Sequence, residues 1–325
     1  MKTLMRTMTA LMMVAVGVGF MGCKHSVTPD FTGPQYIEFG MWPQTKLADE
    51  NIITDKISTE QYRGWDCYKG SDGAYYVKEK ATQTRQGLKF DDGTNIVKDN
   101  DYYFKLEPIQ WRVLAVNNGK KLLFAEKELD IKCCYGKKEN RGSDSNIIYP
   151  NNYKESDIRS YLNNEFMNKA FTPAEIASIS VTDVDNSIKS TIGSGQTGTE
   201  NKYACENTSD KIFLLSLDEI TRAEYGFSSY NKEQNQKTTF SRAKKTTDYT
   251  RAKDIWVYNK ADHECYINYT GYWLRSPRVP LESDFNKKPE LNIVSDLQVQ
   301  MIGEDGRNGH EDCDAAFGIV PALVL

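Results

Sequence analysis

The sequence predicts an α+β fold of short, mostly antiparallel strands. Three observations carry this. Apolar β-prone runs come first, helical patterns follow, and short strands return, with none of the strand–helix alternation that a doubly wound sheet requires. Asn118-Gly119 separates two such runs, Ile109–Val116 and Leu122–Ala125, which is a strong hairpin signal. Two helix starts are also written out: Thr172-Pro173-Ala174-Glu175 and Ser216-Leu217-Asp218-Glu219 each place Glu three residues after a hydroxyl cap.

In chain order, Ile37-Glu38-Phe39-Gly40 reads as a short alternating strand ended by the turn residues Met41-Trp42-Pro43-Gln44. The polar stretch that continues to residue 100 reads as hairpins with loops, around Gly64–Tyr68 and Ala74–Val77. After the Asn-Gly hairpin, Ser156 precedes Ile158, Tyr161, Leu162 and Phe166, the spacing of one helical face. Thr182–Ser209 is rich in Ser, Thr, Gly and Asn and is expected to be a surface insertion. Lys211–Leu215 is expected to be a strand, leading into a short helix to about Glu224. Short strands are then expected at Trp256–Tyr258, Tyr272–Arg275, Leu297–Gln300 and Gly318–Leu325. No internal repeat is present, and 35–325 reads as a single domain with insertions.

The chain begins with a basic stretch, Lys2 and Arg6, then an apolar run from about Ala10 to Met21 and Gly22-Cys23. That pattern describes an export signal over 1–22. It falls short of the roughly 20 apolar residues of a membrane-spanning helix. Phe20-Met21-Gly22-Cys23 looks like a bacterial lipobox, in which cleavage leaves an acylated Cys23 as the new N-terminus. Each buried methylene adds about 0.8 kcal/mol, so more than one chain holds a protein stably on a membrane. Residues 24–34 read as a tether of at most roughly 35–40 Å.

The whole chain of 325 residues carries 41 Lys plus Arg against 45 Asp plus Glu, a formal net charge of −4. Removing 1–22 leaves 39 against 45, or −6. An acidic balance argues against a nucleic-acid partner. The expected partners are a membrane, through the anchor, and an extracellular protein or glycan. Three histidines, one of them in the tether, are too few for a three-histidine iron centre in the domain.

Six segments in order resemble a bacterial exported family, domain of unknown function 6273: IEFGMWPQT at 37–45, EPIQWRVLAV at 107–116, SDIRSYLNNEFMNKAF at 156–171, DKIFLLSLDEI at 210–220, GYWLRSP at 271–277 and PALVL at 321–325. The family is similar in overall pattern to the C-type-lectin-like fold in its formylglycine-generating-enzyme variety. That resemblance implies a scaffold of short strands and two or three helices displaying long loops for binding. Two departures stand out. Arg278 follows WLRSP where the family usually has Gly, and Val320 precedes the terminal PAL where it often has Arg.

The candidate site residues follow from local chemistry. Trp273 and Arg275 share a face if their segment is a strand, and an indole beside a guanidinium stacks on sugars, peptides or aromatic ligands. The competing reading, a core Trp with an Arg that ties down a loop, is preferred for a Trp inside an apolar strand. Arg278, Asp305, Arg307 and Asn308 extend the candidate ligand surface, which is drawn from 278–314. The loop 303–312 also gathers oxygen donors at Asp305, Asn308, Glu311 and Asp312. Calcium is the cation that such donors suit, although a solvated acidic turn explains them as well. His263-Glu264-Cys265 and His310-Glu311-Asp312-Cys313 bring two His and two Cys into paired positions. In an exported chain Cys265–Cys313 is expected to be a disulfide, with zinc as the competing reading. No Gly-rich phosphate loop, nucleophile elbow or His-Glu-x-x-His motif occurs. A non-catalytic, ligand-binding surface lipoprotein is therefore expected. The alternatives are an oxidative enzyme of the formylglycine-generating type working through Cys265 and Cys313, and a purely structural envelope protein.

Overall fold

In the computed structural model the described residues are 34–57, 63–134, 139–143, 146–197, 200–229, 239–258, 267–279 and 298–325. They form a mixed α and β structure with mostly antiparallel strands. Its centre is the 17-residue strand Asp101–Asn117. Phe104 in that strand lies opposite both Lys46 and Val77, and Trp111 opposite both Ile37 and Ala125. The main sheet runs in the order 212–213, 322–324, 120–125, 101–117, 75–80, 67–70, 53–57, with 36–46 laid along 101–117. A second sheet runs 308–312, 298–302, 272–277, 317–319, 130–132. Its single parallel pairing is between Tyr272–Pro277 and Phe317–Ile319.

The Asn-Gly turn is realised as expected. Asn118 and Gly119 both take positive φ, 53° and 78°, as the tightest hairpin turns need. The strand Tyr36–Lys46 differs from expectation, because it continues through Met41–Gln44. Register shifts after Glu38 and after Pro43 absorb Gly40 and the proline, which lacks a donor for a regular ladder. Gly40 sits at φ 70°, and a Cβ there would lie 2.4 Å from the ring of Phe171.

Ser156 caps the helix Asp157–Tyr161 by accepting from the Arg159 N–H. The helix then widens by one residue per turn over Leu162–Phe166 before closing as Met167–Ala170. The wide turn lets the Asn163 side chain reach the edge of the main sheet. Its amide donates to the Ile212 carbonyl at 2.8 Å and accepts from the main-chain N–H of Lys211 and Ile212. Both expected capping boxes are present, starting Pro173–Ser178 and Leu217–Ile220. The second helix stops at Ile220, and a 3-10 turn, Ala223–Tyr225, follows it.

One expectation needs correction and two need refinement. Trp256–Tyr258 is not a strand; it follows an unexpected helix, Asp248–Ala252, capped by Thr247. Leu297 lies outside the described residues, and the strand there is Gln298–Ile302. Thr182–Ser209 is exposed over much of its length, as an insertion would be, but it is also anchored in the structure. Thr182–Val184 pairs with Thr208–Asp210, and Asn186, Ser190, Thr191 and Tyr203 are all buried. Its polar side chains bond locally, as Asn186 does to the Glu206 carbonyl and the Thr208 hydroxyl, so a polar composition is compatible with burial.

One apolar core joins both sheets and the helices, with Trp42, Trp111 and Trp273 among its largest members. Each indole N–H donates to a main-chain carbonyl: Trp42 to Leu129, Trp111 to Phe39 and Trp273 to Lys132. Gly40→Ala combines a strained φ with a clash against a fully buried ring, and is expected to cost about 2–3 kcal/mol. Gly119→Ala has the same backbone strain in open space and is expected to cost about 1 kcal/mol. Urea denaturation of the two variants measures the difference.

Candidate functional site

The main sheet and the edge strand of the second sheet, Asp130–Lys132, meet two helices at a cleft of about 250 Å³. Strand Tyr75–Lys80 supplies Val77, Lys78 and Glu79; the edge strand supplies Asp130 and Lys132; helix Asp157–Tyr161 supplies Tyr161; and helix Asp248–Ala252 supplies Tyr249, with Lys253 just past its end. Trp42 and Trp65 pack edge to face behind them, 4.9 Å between centroids, and Trp65 meets Tyr249 edge-on at 6.3 Å.

Asp130 holds these elements together. It is buried, and its Oδ1 accepts from Lys253 Nζ at 2.6 Å and from the Ile131 N–H at 2.9 Å. Its Oδ2 accepts from the Tyr161 hydroxyl. Burial by itself would raise this carboxyl's pKa. The Lys253 ammonium and the three hydrogen bonds outweigh burial and hold it below the ordinary value. The same pair drives Lys253 the other way: burial would lower its pKa, yet Asp130 and Tyr249 push it well up. Just behind, Glu128 is completely buried. Desolvation, reinforced by the charge of Asp130, pushes its carboxyl well up, in the direction opposite to Asp130. Gly318 makes room for it, since a Cβ there would lie 2.6 Å from Glu128 Cγ.

The aromatic faces in the cleft are already occupied by lysines. Lys253 lies 4.4 Å from the Tyr249 ring centre, Lys132 4.5 Å from that of Tyr161, and Lys169 4.5 Å from that of Trp65. The cleft therefore presents ammonium groups over rings rather than bare rings. Lys132, Tyr161 and Glu165 also line a second hollow of about 340 Å³, where Cys133 and Asp157 lie.

The residues singled out in the sequence lie elsewhere. Trp273 is wholly buried against Phe317, at 5.1 Å, and so is no ligand contact. Arg275 is buried as well. It donates to the carbonyls of Leu214 and Asp185 and to Glu219, the carboxylate of the second capping box. It pins a strand to a helix start, which is the core reading of this pair. Arg278 bonds the Gln298 side chain at 2.6 Å, and Gln298 in turn donates to Asp312. Asp305 and Arg307 pair at 2.9 Å in the turn at the far end of the same hairpin.

The candidate calcium set does not assemble. Asn308 and Asp312 are the two ends of one strand, opposite Ile302 and Gln298, which separates them by roughly 13 Å, while Glu311 points to the other face. Among the described residues no group of three or more His, Cys, Asp or Glu is placed to hold a metal. Cys265 and His263 lie outside the described residues, as does Cys23. Cys313 is completely buried in the core. Cys134 beside it has its thiol pKa pushed well up by burial, with Cys313 and Cys133 adding to the effect. Neither environment activates a nucleophile.

The cleft was missed because its members are far apart in sequence and unremarkable singly: Trp65, Glu79, Lys132, Tyr161, Tyr249 and Lys253. The one local signal was Thr247-Asp248, a cap followed by an acidic first turn, which marks the helix carrying Tyr249. The matching family is described as Domain of unknown function (DUF6273), and its match runs over residues 118–325, well over half of the chain. The chain belongs to this family. No curated protein and no solved structure matches it. The family match includes Asp130, Lys132, Tyr161, Tyr249 and Lys253 but starts after Trp42, Trp65 and Glu79, so the cleft straddles its boundary. The segments IEFGMWPQT and EPIQWRVLAV also precede the matched residues.

Asp130→Asn leaves the Lys253 charge unmatched and is expected to cost about 3–5 kcal/mol. Because the Asp130 carboxyl titrates below its ordinary value, its contribution is complete above that value and is lost as pH falls through the folded pKa. The stability gap between wild type and variant should hold from pH 8 to 5 and close only in stronger acid. Chemical denaturation across that range checks this.

Proposed function

We propose that this chain is a lipid-anchored envelope protein whose domain, C-type-lectin-like in kind, binds a ligand of protein or glycan origin without transforming it. The observation that carries the reading is the cleft: concave, charged, walled by aromatic residues and about the size of one sugar or one amino acid. The mixed, mostly antiparallel scaffold is consistent with the lectin-like resemblance.

A binding role is favoured over a catalytic one by how the cleft's groups are used. Both oxygens of Asp130 are engaged, Oδ1 by Lys253 and the Ile131 N–H and Oδ2 by Tyr161, which ties the carboxylate to a positioning role rather than to that of a nucleophile or base. Lys253 is held charged by Asp130 and is no base either. The cysteine-based alternative is disfavoured by the burial of Cys313.

The anchor rests on the leader that ends at Cys23. Among the described residues no helix is long and apolar enough to cross a membrane. In this reading acyl chains on Cys23 hold the domain at the membrane. Cys23→Ser is expected to move the protein from the membrane to the soluble fraction of a bacterial host; a wild-type protein that is already soluble and unacylated would contradict the anchor. Glycan and peptide arrays on the mature domain are expected to give saturable binding, with the ligand recovered chemically unchanged. Recovery of a converted ligand would contradict the binding role.

A further inference from the structure

The second hollow, of about 340 Å³, adjoins the cleft of about 250 Å³, and Lys132, Tyr161 and Glu165 line both. The helical stretch 157–170 accounts for this. Tyr161, Glu165 and Lys169 stand four residues apart and line the cleft, while Asp157, Ser160 and Asn164 on the neighbouring row line the second hollow. Together the two fall within the roughly 300–1,000 Å³ that encloses a drug-sized ligand, which is the size of a di- or trisaccharide. The charges in the cleft balance, with four lysines and four carboxylates lining it. Lys253 lies 2.6 Å from Asp130 and Lys169 2.9 Å from Glu165. Glu79, raised by burial, feels both Lys253 and Lys169.

We propose that the two hollows together bind a neutral oligosaccharide of two or three units, laid across the shared residues Lys132, Tyr161 and Glu165. The proposal rests on the cleft being the ligand seat and names the class and length of ligand. A sugar hydroxyl both donates and accepts, so neighbouring hydroxyls can take a bond from an ammonium and give one to a carboxylate in the same hollow. A ligand with a net charge gains from one sign and is repelled by the other. Lysines already lie over the rings of Tyr161, Tyr249 and Trp65, so hydrogen bonds rather than stacking hold the sugar. A peptide is disfavoured because the cleft offers no strand edge for it to join. Tyr75–Lys80 is paired on both sides, with Cys67–Gly70 and Asp101–Asn117. Around Asp130–Lys132, the Leu129 and Lys132 carbonyls already accept from the indoles of Trp42 and Trp273, and the Ile131 N–H donates to Asp130.

Calorimetry on the mature protein tests this, with glucose, mannose, galactose and N-acetylglucosamine oligosaccharides of one to four units and with sulfated or amino-bearing analogues of those that bind. Affinity is expected to rise roughly tenfold or more from one unit to three and to level off at four. A net charge of either sign on the ligand is expected to lower it roughly tenfold or more. Lys132→Met is expected to weaken every length. Asn164→Ala, at an exposed position in the second hollow alone, is expected to remove most of the gain with length. The proposal is overturned if no series binds, if affinity stops rising after one unit, or if the charged analogues bind equally well. The length series uses wild-type protein and stands even if a variant misfolds. Length-independent binding, or binding of an arrayed peptide, that weakens in Lys132→Met would overturn the oligosaccharide and keep the cleft as the ligand seat. Ligand binding indifferent to both substitutions would overturn the cleft as well.

Discussion

A charged carboxylate with almost no access to water has to be matched, and the arrangement around Asp130 is the solution to that constraint. The ammonium that matches it comes from Lys253 and the hydroxyl from Tyr161, more than 90 residues apart from one another in the chain. One buried charge thus fixes the edge strand of the second sheet against two helices that have no short-range reason to meet. Burial and the charge of Asp130 both raise the carboxyl of Glu128, since a second ionised carboxylate there would oppose the first. An apolar cluster of similar volume would pack as well and would not select these particular neighbours. Specificity of this kind is a known use of buried polar groups.

The cleft follows from the same arrangement. The elements that Asp130 gathers carry Tyr161, Tyr249 and Lys132 on their outer side, and the main sheet brings Glu79 and Trp65 opposite. Each ring is covered by an ammonium, and most of those ammonium groups are matched by carboxylates within reach. The result is a largely neutralised wall in which ammonium groups lie over rings and carboxylates beside ammonium groups. Rigidity matters for recognition, since a group already held in place loses little freedom when a ligand arrives.

Local signals in the sequence translated well into local structure. The Asn-Gly hairpin and both capping boxes are where they were expected, because each depends on residues within four positions of one another. Signals that depend on tertiary context did not translate. Pro43 reads as a strand terminator, yet two bulges carry the strand past it. Trp273 and Arg275 look like a recognition pair, but every residue of their strand is buried between layers, and only the packing shows this. The Asp and Glu residues of 305–312 look like a metal loop until the hairpin register draws them apart. The cleft was illegible for the complementary reason: six ordinary residues from five separate segments become a site only when a long-range ion pair brings them together.

The most direct measurement is a crystal structure of the mature domain with the glycan or peptide that binds it most tightly. The account predicts ligand density in the cleft, within hydrogen-bond distance of at least one of Lys132, Tyr249 and Lys253. A ligand bound instead at residues of 278–314, with the cleft holding only water, would contradict it.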